Sequence, residues 1–187
     1  LLAAVLMLTR GMGGDDAYLG EYPLQISELM SRNTTVPNAD GILCDWIEIA
    51  NTSESDFDLS GYKLSDELTG AKYSFPAGTT IEAGGYLVVW CTEEATGDLY
   101  AAFALDRNGG ETVILMNASN VILDEVETLA AQKNCSMVRE ADGSLTLSAT
   151  PTPGYANTEA GYEAYLASCG ESDTRVRLSE IMTSNTL

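Results

Sequence analysis

The chain has 187 residues, of which 45% are hydrophobic and 20% charged, so it can bury a core and does not have the composition of a disordered tail. Its 28 acidic residues against 9 basic give a formal charge of −19, which excludes binding to nucleic acid or an anionic membrane through charge, since both need clustered Lys and Arg. Histidine is absent, and with it Ser-His-Asp and Cys-His catalysis and His-based metal sites.

The first eight residues, LLAAVLML, are uncharged and apolar and are followed by Thr9, Arg10 and a glycine-rich lead. Eight residues span about 12 Å as a helix, too short for a bilayer. Residues 1–23 therefore read as the remnant of a signal peptide or anchor helix with a flexible lead, the only route to a membrane this chain offers, and they imply an extracytoplasmic location.

From Leu24 onward the hydrophobic period is two, which means strands. They are expected at Leu24 to Met30, Cys44 to Ala50, Gly61 to Ser65, Lys72 to Phe75, Tyr86 to Cys91, Thr112 to Met116, Val121 to Glu127, Ser136 to Arg139 and Leu145 to Leu147. Between them lie turn sequences such as Asn38-Ala-Asp-Gly41, Asn117-Ala-Ser-Asn120 and Asp142-Gly143, whose Gly and Asn residues supply positive φ. Many short strands joined by tight turns predict an all-β antiparallel sandwich or barrel. The expected inward residues include Ile47, Ile49, Leu64, Phe75, Leu87, Val89, Ile114 and Val126. Beyond them, TPTPGYAN (150–157) is a stiff exit followed by a short helix, capped by Asn157 or Thr158 and closed by Gly170, with Tyr162, Tyr165 and Leu166 on one side. The texture of residues 150–177 reads as an interdomain connector, while the domain itself is bounded at 24–157 and its helical and polar linker at 158–177.

One stretch occurs twice. ISELMSRNT begins at Ile26 and LSEIMTSNT at Leu178; five of the nine positions are identical and two more exchange Ile with Leu. The interval, about 150 residues, is too long for a solenoid repeat and suits one domain plus linker. Residues 178–187 are thus expected to be the first strand of a second copy.

The chemistry-bearing residues support little catalysis. In DWIEIAN, alternation sends Ile47 and Ile49 inward and Trp46 and Glu48 outward, and the functional reading of Trp46 with Glu48 is an exposed pair that contacts a sugar or peptide. The structural alternative is that Trp46 covers a sheet edge and Glu48 pairs with a neighbour. Asp45 and Glu48 are the nearest approach to a glycosidase pair, but on one strand they point to opposite faces. Asp56, Asp58, Asp66 and Glu67 could supply oxygen ligands to Ca²⁺, yet lack the spacing of a calcium loop, and solvated carboxylates are the better reading. Cys44, Cys91, Cys135 and Cys169 include no zinc-type pair; Cys91 is expected inward and Cys44 outward, which argues against a bridge between them. No metal or cofactor is implied.

The order of motifs, ISELM, then DWIEIANTSESDFDLSGYKLSDE, then YSFPAGTTIEAGGYLVVWC, ETVILMNASNVILDEVE and ATPTPGYAN, resembles the lamin tail domain over residues 24 to 157. The resemblance implies an immunoglobulin-like β-sandwich and, for its bacterial members, secreted or surface proteins with the domain in tandem, sometimes beside hydrolase or kinase-like domains. The function expected is a non-enzymatic surface module for spacing, adhesion or protein interaction. The alternative is a carbohydrate- or peptidoglycan-binding accessory domain of an enzyme in the same polypeptide. The partner would be a protein or a cell-surface glycan.

Overall fold

The computed structural model describes residues 22–67, 70–93 and 97–170. The expected leader up to residue 21 and the recurrent segment 178–187 lie outside the described residues. In chain order the elements are β1 (Leu24–Met30), β2 (Asp45–Asn51), β3 (Phe57–Asp58), β4 (Lys63–Ser65), β5 (Tyr73–Ser74) and β6 (Thr80–Ile81). There follow β7 (Tyr86–Cys91), β8 (Tyr100–Ala101), β9 (Thr112–Met116), β10 (Ile122–Glu127), β11 (Ser136–Arg139), β12 (Leu145–Ser148) and α1 (Glu159–Ser168).

Alternating apolar residues make these segments strands, and their inward faces make them pack as two layers. One sheet has the order β12-β11-β1-β2-β7-β8 and the other β10-β9-β4-β5, with β3 and β6 pairing separately. Pairing is antiparallel except between β7 and β8. The core between the layers contains Ile26, Leu29, Ile47, Ile49, Leu64, Phe75, Val89, Val113, Leu115 and Val126. Fully burying such a side chain contributes roughly 1.5–3 kcal/mol. The fold is the expected β-sandwich.

Three details differ from the sequence reading. Ile114 is buried but stands apart from the main core, because Val113 and Leu115, its neighbours on the opposite parity, take the inward positions of β9. Leu87 is only partly buried at the core's margin. The largest difference is that residues 150–157 do not leave the domain as a connector. They run back across the outer face of the six-stranded sheet, where Thr152 is buried and hydrogen-bonded to β1.

The helix caps as expected at Thr158, whose hydroxyl accepts from the Gly161 amide at 3.0 Å, and Gly170 follows it at φ 74°. Its docked face is narrower than the Tyr162, Tyr165, Leu166 pattern suggests, since Leu166 is exposed and Tyr165 makes the apolar contact with the sheet. Gly161 is the buried helical residue, and a Cβ there would stand 1.9 Å from the Ala156 carbonyl oxygen.

Candidate functional site: a pair of buried glutamates beneath a strap

A β-bulge makes the site. Between Ile26 and Glu28 the β1–β2 register slips, so that Ile26 and Leu29 both face the core while Ser27 and Glu28 both turn to the outer face. Glu28 then stands directly opposite Glu48 of β2. The slip also frees the Ile26 amide, which donates to Asp124 Oδ2 at 2.7 Å; the same oxygen receives Arg139 Nη1 at 2.6 Å. An ion pair from β10 and β11 thus closes the gap that the bulge opens.

Both glutamates are fully buried, and their partners come from Ser27 and from residues 150–157, which cross them as a strap. The Thr152 amide approaches the two Glu28 oxygens at 3.2 and 3.1 Å, and Thr152 Oγ1 lies 2.8 Å from Glu28 Oε2 and 2.7 Å from Asn157 Oδ1. Asn157 Nδ2 donates to the Ser27 carbonyl at 2.9 Å. Ser27 Oγ donates to Glu48 Oε1 at 2.6 Å, and the Gly154 amide donates to Glu48 Oε2 at 2.7 Å. Burial raises the pKa of both glutamates, opposed at Glu28 by the hydroxyl and amide of Thr152 and at Glu48 by the Ser27 hydroxyl and the Gly154 amide, and the closeness of the two carboxyls adds to the shift.

Beside the acids lies an apolar patch. Met30, Val36 and Trp46 are buried on the outer face, with Val88, Trp90 and Tyr165 of α1 packed against them. Asn33 shapes the loop that brings Val36 there: its amide nitrogen donates to the Val36 and Cys44 carbonyls, and its oxygen accepts from the Thr35 and Val36 amides.

The expected contact pair is therefore corrected. Trp46 and Glu48 do point to the outer face, but each is 0% exposed, because the strap, the Asn33 loop and α1 form a further layer over that face. They are part of the packing beneath the strap and present no platform to a sugar. The structural alternative describes Glu48 well and Trp46 less so, since Trp46 lies on an inner strand, paired with Met30 on one side and Trp90 on the other.

The remaining candidates are dispersed. Asp45 accepts from the Leu105 amide at 3.0 Å and has no part in the Glu48 network. Asp56 accepts from the Ala83 amide and Asp58 from the Ser60 amide, whereas Asp66 and Glu67 both pair with Lys72 at 2.6 and 2.8 Å. These four acids do not form one group. Cys91 is buried in the core and Cys44 is half-buried, as alternation implies.

The site residues that sequence reasoning missed are Ser27, Glu28, Thr152, Gly154 and Asn157. Ser27 and Glu28 carried a signal, since both recur in LSEIM at 179 and 180. The two polar residues between Ile26 and Leu29 also break the alternation of β1 at the bulge, whereas a Pro-rich segment reads as an exit whether or not it folds back.

A family model described as the lamin tail domain matches residues 21–130, more than half of the chain. The chain belongs to the lamin tail domain family, whose members are non-enzymatic immunoglobulin-like domains of protein interaction. No curated protein matches the chain. The strap and α1 lie beyond the matched residues, although the strap supplies half of the glutamate network.

Proposed function

We propose that this domain is a non-enzymatic spacer and protein-interaction unit of a bacterial secreted or surface protein, repeated in tandem. The observation that carries the reading is the strap, which is fastened to the outer face by Thr152, Gly154 and Asn157 and leads into a helix seated through Tyr165. A chain that leaves a domain along a bonded strap and a docked helix leaves it in a fixed direction. That is what a stalk of tandem units needs, because a free Gly- or Ser-rich linker would behave as a coil. The recurrence of S-E-x-M with N-T at the start of both segments supports tandem units. The apolar leader supports export.

Small-angle scattering on a polypeptide carried through a complete second unit tests the reading. A narrow distribution of distances between units is expected, widening when Gly154 is replaced by proline, which removes the amide that Glu48 accepts. A broad distribution in the unaltered protein, or its depletion from solution by peptidoglycan or polysaccharide, would contradict it.

A further inference from the structure

The hydroxyl of Thr152 has one hydrogen and two acceptors. Glu28 Oε2 lies at 2.8 Å and Asn157 Oδ1 at 2.7 Å, and the Asn157 amide is oriented by its own nitrogen, which donates to the Ser27 carbonyl. Asn157 Oδ1 has no proton to offer. If the Thr152 hydroxyl donates to Asn157, its contact with Glu28 is a hydrogen bond only when Glu28 carries the proton. If it donates to Glu28, two oxygens face each other at 2.7 Å without a hydrogen between them. Glu28 otherwise receives only the Thr152 amide, shared between its two oxygens, whereas Ser27 Oγ–H and Gly154 N–H each point a donor at a separate oxygen of Glu48.

We propose that Glu28 is held as a neutral carboxylic acid in the folded domain, that its proton fastens the strap through Thr152 and Asn157, and that losing this proton at alkaline pH frees the strap and α1. The network then runs in one direction. Glu28 donates to Thr152, Thr152 to Asn157, Asn157 to the Ser27 carbonyl, and Ser27 to the Glu48 carboxylate.

The surroundings favour one negative charge over two. Glu28 and Glu48 are neighbours across β1 and β2, both buried, and each disfavours the charge of the other, so they titrate as a pair. Among the described residues no cation compensates at the bulge, where the Arg139 guanidinium is engaged by Asp124. From α1, Tyr165 feels the Glu28 charge, and from β7, Tyr86 feels that of Glu48; both are neutral phenols with raised pKa. From β11, the Ser136 hydroxyl favours the charged form of Glu28 but reaches no hydrogen bond of good geometry. Glu140 and Glu159, at the rim of the groove between the strap and β12, add only negative charge.

Carboxyl-carbon NMR of the wild-type chain from pH 4 to 10 tests this directly. Glu28 should remain protonated well above the ordinary carboxylate range and lose its proton only at alkaline pH, with Glu48 already ionised. The Thr152 and Gly154 amide resonances should shift with the same midpoint. Glu28→Gln provides the second measurement: its amide can donate permanently to Thr152, so the fall of Tm with rising pH expected of the wild type should flatten. Ionisation of Glu28 below pH 6, a proton found on Glu48 with Glu28 charged, or an unchanged pH slope in Glu28→Gln would each overturn the proposal.

Discussion

At the residue scale, single atoms explain why particular side chains are needed. Asp124 Oδ2 is the shared acceptor for the Ile26 amide and Arg139, so Asp124→Ala takes the acceptor from a buried backbone donor and leaves the part-buried Arg139 guanidinium to the Ile26 carbonyl at 3.4 Å. Its expected cost is roughly 3–5 kcal/mol, measured by urea denaturation; a cost below about 1 kcal/mol would mean that the bulge closes by other means. Gly161 and Gly109 are constrained by space. A Cβ on Gly109 would meet Leu129 C and Ala130 N at 2.5 Å, at φ 76°. Gly161→Ala should lift α1 and uncover Trp46, seen as a red shift of tryptophan emission with the sandwich still folded, whereas Gly109→Ala strains the β8–β9 loop and should lower Tm with little spectral change below the transition. Trp46 and Glu48 show what parity can and cannot tell: alternation placed both on the outer face correctly, but whether that face is covered depends on residues more than a hundred positions away.

At the element scale, the glutamate pair gives the strap a pH dependence whose sign follows from proton counting. Burial and mutual repulsion keep one proton on the Glu28–Glu48 pair well above the ordinary carboxylate range, so through that window the native state holds a proton that the unfolded chain has released. Stability is then greatest below about pH 4.5, falls by at most about 1.4 kcal/mol per pH unit through the window, and levels off above the folded value. The fall should be visible in denaturant midpoints taken across pH 5 to 9, and stability that rises through that window would contradict the assignment of a buried, proton-holding pair. Thr158→Ala removes the hydroxyl that caps α1 and should cost about 1 kcal/mol, confined to the helix and strap. The bounds of β7 and β9 were legible in the sequence to the residue, but the inward face of β9 was not, because Val113 to Met116 are all apolar. The two-residue strands β3, β6 and β8 were not, since two residues carry no period and their pairing is imposed by the longer strands beside them.

At the scale of the whole molecule, the domain is a sandwich with a further partial layer: two sheets enclose one core, and the strap with α1 and the Asn33 loop encloses a second, smaller apolar patch around Trp46. The sandwich itself could be read from periodicity and turn chemistry, and the family model covers most of it. The outer layer could not, because prolines that end a strand and prolines that stiffen a strap look alike in one dimension; only the bulge at Ser27 and Glu28, with Glu48 beside it, shows where the strap is held. The central claim is that residues 151–157 are part of the folded domain. Native-state hydrogen exchange near pH 6 at the Thr152 and Gly154 amides, compared with the Val113 and Leu115 amides of β9, tests it most directly. Protection at Thr152 and Gly154 approaching that of the β9 core is the predicted result, and exchange at the rate of an unstructured chain would contradict it.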